Sequence, residues 1–438
     1  MIKVIGSLVA TSLLMISGLA FEQGQAQAAE TKQDKPTANV AKRSKKVPAM
    51  RNRVYAQLAR AQKLADEGDK IEGFDVLDAV KDRLDSLNSY ERAMLFNFYG
   101  FMYYGNDDIS LAVDSFKKVI AEDEIPDSLY LSTLYSLAQL SMQQQDFDQT
   151  LVYLTQWKEV NGKKLTANQE MLFAQVYYQN KSFKKSLDHI EQALSINPEK
   201  IAKENWLILQ RANYFELKQP EQVTEVMEQL VRHYSKAEYW LQLSAMYGEI
   251  DQEDKQLAVM EAAWQAGYIT KSSDILTLAQ LYRFHDVPYK AAKLLEESIA
   301  SGVVTAEEKY LALLAQAYIA AKDDEKAIPV LIKASDIADS GKFDAQLAQA
   351  YLNLEQWEYA INSAKKALRR DNGDDFKAQT GTMYLVEGMA NFNLKKYELS
   401  KIAFTQAKKY NQVKKTAQQW FHYVDREQGQ AQRLAMLR

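Results

Sequence analysis

The sequence predicts an all-α fold, a right-handed α-solenoid superhelix of about ten two-helix repeats closed by a C-terminal capping helix. Three observations predict it. Glycine and proline are scarce, 16 and 7 of 438 residues, while Ala, Leu, Gln, Lys and Glu are plentiful, so there is material for helices and little for hairpins. A pattern of small and large apolar residues recurs in one register from about Val54 onward. Turn-forming residues fall between the halves of each copy, where a helix pair must reverse.

Residues 1–28 form a unit of their own. Lys3 supplies a positive start, Val4 to Phe21 is almost wholly apolar, and Ala26-Gln27-Ala28 is a small-x-small cleavage site after the polar residues Glu22 to Gln25. The expectation is export to the periplasm with cleavage after Ala28; the alternative is an uncleaved anchor, because the apolar run is nearly long enough to span a bilayer. Residues 29–50 carry Lys32, Lys35, Lys42, Arg43, Lys45 and Lys46 with Pro36 and Pro48, and read as a disordered basic arm. It is either a solvated linker or a peripheral contact to anionic lipid or cell-wall polymer. The chain has no cysteine, which excludes disulfides, a lipidated Cys, thiolate metal sites and thiol catalysis.

The repeat array occupies residues 51–410. Each copy reads as a small residue, an aromatic three later, a small residue nine beyond, a large apolar four on and a small one three further. Five copies are clear: Gly100, Tyr103, Ala112, Phe116, Val119; Ala174, Tyr177, Ser186, Ile190, Ala193, with Pro198 following; Ala279, Tyr282, Ala291, Leu295, Ser298; Ala315, Tyr318, Ala327, Leu331, Ala334; and Ala348, Tyr351, Ala360, Ala364, Ala367. Weaker copies begin at Ala61, Ala138, Arg211, Ser244 and Gly388. This pattern resembles the tetratricopeptide repeat (TPR) signature, with the early-helix aromatic as Phe96, Trp240 and Tyr384. The resemblance implies two antiparallel helices per unit, small residues where they cross, and stacked units sharing one core.

Repeat starts are expected near 54, 93, 131, 167, 204, 237, 272, 308, 341 and 381, against an ideal period of about 34. Glu67-Gly68-Asp69, Gly105 to Asp108, Gln145-Asp146, Lys322 to Asp324 and Leu394 to Lys396 read as turns inside units. Pro220 and Pro288 fall at second-helix starts, where a missing N–H costs little. Arg369 to Asp375 reads as an exposed loop. Residues 411–438 form the expected cap and tail, with Val413, Ala417, Trp420, Phe421 and Val424 as its packing stripe.

Repeats fill nearly all of the sequence after the arm, leaving no room for a catalytic domain, so no enzyme and no cofactor is expected. His189, His233, His285 and His422 lie in different units without metal-ligand spacing. There is no phosphate loop and no nucleophile elbow. A net charge of −4 argues against nucleic acid as a partner.

Binding is expected on the inner face of the first helices, where TPR proteins hold extended peptides. Directly after the small residue stand Gln62, Phe101, Gln139, Gln175, Gln280, Gln316 and Gln349. Neighbouring groove positions hold Asn97, Tyr104, Tyr135, Met142, Met171, Tyr178, Ile208 and Phe215. Amides both donate to and accept from a peptide backbone, and aromatics offer apolar pockets at small entropy cost. The competing reading is that Gln is a good helix former and the aromatics pack between units. The repeated Lys and Arg of carboxylate-clamp members are missing. The expected role is a periplasmic scaffold or adaptor holding an envelope protein through an extended peptide or helix. Its layout resembles envelope TPR proteins that accompany TonB, ExbB and ExbD type systems; the alternative is an organiser of cell-wall or exopolysaccharide assembly.

Overall fold

The computed structural model describes residues 46–370 and 374–436. The expected export signal, residues 29–45 of the basic arm and Asp371 to Gly373 of the expected loop lie outside the described residues.

Among the described residues ten helix pairs follow one another. They are α1 (Asn52–Asp66) with α2 (Lys70–Lys81), α3 (Ser89–Gly105) with α4 (Ile109–Ile120), α5 (Asp127–Gln143) with α6 (Phe147–Asn161), α7 (Ala167–Gln179) with α8 (Phe183–Ser195), and α9 (Glu204–Glu216) with α10 (Pro220–Tyr234). Then come α11 (Ala237–Glu249) with α12 (Glu253–Gln265), α13 (Ser272–Phe284) with α14 (Pro288–Ala300), α15 (Glu308–Ala320) with α16 (Asp324–Ile337), α17 (Lys342–Asn353) with α18 (Trp357–Arg369), and α19 (Asp374–Asn393) with α20 (Tyr397–Ala407). A last described helix, α21 (Lys414–Met436), follows the tenth pair. No strand occurs among the described residues. The packing divides the chain into two compact units, residues 1–234 and 235–438. The first contains α1 to α10 and the second α11 to α21.

Five of the ten expected starts coincide with helix starts, at 167, 204, 237, 272 and 308, and a sixth, at 341, is one residue early. At α1, α3, α5 and α19 the helix begins two to seven residues earlier. The signature marks only the part of a helix that crosses its partner, and local caps extend the rest. Asn88 opens α3 through a capping box with Glu91.

Every reversal inside a pair is built alike. One residue takes a left-handed conformation: Gly68, Asp107, Gln145, Lys181, Lys218, Asp251, Asp286, Lys322, Glu355 and Lys395, with φ from 55° to 96°. The next N–H donates to the carbonyl of the signature position, as in Asp108 to Tyr103, Val287 to Tyr282 and Asp323 to Tyr318. This 6→1 bond is a Schellman closure, which satisfies a helix-end carbonyl that would otherwise be orphaned.

The small residues let helices touch. A Cβ on Gly100 would lie 2.6 Å from the Phe116 ring, and one on Gly388 would lie 2.6 Å from Phe404. The Ser186 hydroxyl donates to the Ala174 carbonyl at 2.7 Å, and Ser400 donates to Gly388 at 2.8 Å, so facing small positions of two helices are in contact. Within the second unit, Met260, Ile275, Leu278, Tyr282, Leu295, Leu311, Tyr318 and Leu331 share one continuous core cluster across successive pairs. The open end of that unit is covered by α21. Ala417 and Val424 are fully buried there, and Trp420 stacks on Phe404 with centroids 5.9 Å apart, which makes Trp420 a packing residue.

Candidate functional site

The position after each small residue is open on most first helices. In the first unit Phe101 is 38% exposed, Gln139 is exposed, and Gln62 and Gln175 are half-buried. In the second unit Gln280, Gln316 and Gln349 are exposed. Gln62 donates to Asp66 at 2.8 Å and Gln349 to Asn353 at 2.9 Å, each one turn on along its own helix. Gln139, Gln175, Gln280 and Gln316 carry no side-chain hydrogen bond among the described residues, so four amides in one register have their donors and acceptors free.

The aromatic and thioether positions divide. Tyr104 stands 41% exposed. Phe101 sets its ring edge-on to Phe116 at 5.2 Å, Tyr135 packs on Trp157 at 6.1 Å, and Tyr178 on Phe183 at 5.6 Å, each against the second helix of its own pair. Met142 packs on the core, and Met171 lies within it beside Leu187, Ile190 and Trp206. Asn97, Ile208 and Phe215 are half-buried. Met171 therefore supports the face from behind. Burial pushes the Tyr135 phenol up; burial and then Glu216 push up that of Tyr178, with Arg211 acting in the opposite direction. Tyr178 on α7 thus lies within the field of Glu216 and Arg211 on α9, the first helix of the next pair. The positions expected in residues 97–215 all belong to the first unit, and Gln280, Gln316 and Gln349 belong to the second.

The sequence reading missed a hollow at the start of the first unit. It has a volume of about 560 Å³ and is lined by α1, α3 and Met50. Its apolar wall is Met50, Tyr55, Leu58, Met94 and Phe98, and its rim is Gln62, Lys63, Asp66 and Glu67. The signal was available: Tyr55 and Met94 each stand six residues before a signature small residue, on the face that carries Gln62 and Phe101.

Buried charges elsewhere tie helices together. Glu170 meets His189 Nδ1 at 2.6 Å, and the imidazole stacks on Phe173 and Tyr177. Asp344, wholly buried, accepts from Ser335 and pairs with Lys366 and Arg370, joining α16, α17 and α18. Among the described residues no group of three or more His, Asp or Glu could hold a metal ion, and no helix is long and apolar enough to cross a membrane.

No family model and no curated protein matches the sequence. Solved structures do. One is a tetratricopeptide repeat protein from Parabacteroides merdae, at 12% identity and a TM-score of 0.28, covering 76% of this chain and 99% of that one. Another is YrrB, described as a TPR protein with an unusual peptide-binding site, at 12% identity and a TM-score of 0.35, covering 45% of this chain and 97% of that one. A third is the APC/C hetero-tetramer Cut9–Hcn1, at 12% identity and a TM-score of 0.29, covering 85% and 84%. The chain is similar to tetratricopeptide repeat proteins. Its own ten pairs, with small residues at most of the signature helix crossings and the signature carbonyl closing each turn, make the fold a TPR-type array.

Proposed function

We propose that this protein is a binding scaffold that holds a segment of another protein along the first-helix face. The observation that carries this reading is a pair of free amides on each unit, Gln139 and Gln175 on the first and Gln280 and Gln316 on the second, at one position of the repeat and without side-chain partners among the described residues. A polar group left open at a constant register can pair with an extended backbone, whose own groups repeat along the chain. The half-buried and exposed aromatics beside it, Tyr104, Tyr178 and Phe215, offer apolar contact for alternate side chains of such a segment. The signal-like residues 1–28 support placing the scaffold in the cell envelope, and the layout of signal, basic arm and repeats, which resembles envelope TPR proteins that accompany TonB-type systems, supports a component of such a system as its partner.

The test combines photocrosslinking from Gln139 and Gln175 in cells with the double substitution Gln175→Glu, Tyr178→Glu. The expected result is that the unaltered protein captures a discrete partner and that the double variant loses it while keeping its helical CD spectrum. Unchanged capture by the folded double variant would refute the groove reading. Recovery of polysaccharide or peptidoglycan synthases in place of TonB-system proteins would replace the partner assignment.

A further inference from the structure

We infer that the hollow between α1 and α3 is an anchor site for a partner segment in which a bulky apolar side chain, aromatic or branched, stands next to a lysine or arginine. This rests on the first-helix face being the binding surface, and it specifies what one end of that surface selects.

Three observations lead to it. The wall is apolar and adaptable: Met50 and Met94 bring flexible thioethers, and Tyr55, 65% exposed, and Phe98 bring ring surface. A volume of about 560 Å³ exceeds that of one large side chain, so an aromatic residue enters with its flanking backbone. The rim is acidic. Among the described residues Lys63 lies 3.7 Å from Glu67 and Asp66 receives only the Gln62 amide, so the two carboxylates and one ammonium lining the mouth leave one negative charge there. A neighbouring cation on the ligand answers that charge, and an acidic residue there is repelled.

The site is also built before any ligand arrives. Arg51, directly after Met50, gives its backbone N–H and its guanidinium to buried Glu91, at 2.9 and 2.6 Å. Asn88 Nδ2 donates to the Ala49 carbonyl at 3.0 Å. These bonds hold residues 49–51 beside α3, which fixes one wall of the hollow and lowers the ordering cost of binding.

The test uses the chain with ¹³C-methyl methionine and three blocked dipeptides: Ac-Trp-Lys-NH₂, Ac-Trp-Glu-NH₂ and Ac-Ala-Lys-NH₂. The Met50 and Met94 resonances are assigned through Met50→Leu and Met94→Leu. The expected result is saturable movement of both with Trp-Lys, on the order of millimolar affinity, while core Met260 stays in place. Trp-Glu should bind about threefold more weakly, and Asp66→Asn should remove that preference. Ala-Lys should not move either resonance. Absence of saturable Met50 and Met94 shifts with Trp-Lys, or equal binding of Trp-Lys and Trp-Glu, overturns the assignment. Partner crosslinks from Gln175 would persist if only the anchor is wrong, and would vanish if the whole face is misassigned.

Discussion

Tyr318 shows what one signature residue carries. It is 1% exposed, burial and then Glu296 on the second helix of the preceding pair push its phenol up, and Lys326 Nζ lies 5.7 Å from its ring centroid. Ring, carboxylate and cation come together there from three helices. Tyr318→Phe keeps the volume and loses only the hydroxyl, which should cost about 0.5–1.5 kcal/mol. Tyr318→Ala adds a cavity and should cost about 3–5 kcal/mol. Urea denaturation of both variants checks the order; equal losses would show that the hydroxyl and not the packing dominates. At the other end of the chain, Glu91 is buried against Arg51, whose guanidinium, with help from the backbone N–H groups of Arg51 and Asn88, holds its carboxyl at about 2, below the ordinary 4.5. A carboxyl lowered on folding stabilises the fold fully above about 4.5 and loses that contribution as pH falls toward about 2. Arg51→Met should therefore lower the urea midpoint at neutral pH and flatten its decline over that acid window. A decline as steep as that of the unaltered protein would assign the acid sensitivity to other carboxylates.

At the scale of elements, the turns hold stability that the sequence leaves unused. Nine of the ten reversals place a residue other than glycine at positive φ; only the first uses glycine, Gly68. An L-residue there pays about 1–2 kcal/mol, and glycine returns about 0.5–1 of that as extra freedom in the unfolded chain. Lys322→Gly, at φ 60°, should thus stabilise the second unit by about 0.5–1 kcal/mol, read as a raised midpoint in thermal melts. A lowered midpoint would mean that the Lys322 side chain contributes more than its backbone costs.

The same turns show how far the sequence could be read. Their places were legible because signature residues fix the helix crossings on either side. Their conformation was not, since Gln145, Lys181 and Glu355 carry no turn preference and adopt it only because two packed helices impose it. A lysine over the signature tyrosine was equally hidden: Lys185, Lys255, Lys290 and Lys326 each stand one residue before the second helix's signature position. On the binding face, residue identity located Gln139 and Gln175, but helical spacing alone did not separate buried Met171 from open Tyr104. That distinction depends on what the following pair brings against each side chain.

For the whole molecule, a chain of pairs buries its apolar surface only against neighbours, so stability should be lost locally when an end is uncovered. In the second unit α21 performs that covering through Ala417, Trp420 and Val424, set over Leu385, Phe404 and Ala407. Deleting residues 412–438 would expose the Phe404 ring and the side of α20 that now meets α21. Uncovering two or three large apolar side chains should cost the last pair about 3–6 kcal/mol. Hydrogen exchange followed along the chain gives the discriminating measurement. Amides of α19 and α20 should lose most of their protection, those of α17 and α18 less, and those of α13 to α16 little, a gradient that follows nearest-neighbour coupling. Uniform loss across α11 to α20 would instead show that the second unit unfolds as one cooperative body, with its continuous core from Met260 to Leu347 coupling distant pairs more strongly than adjacency does.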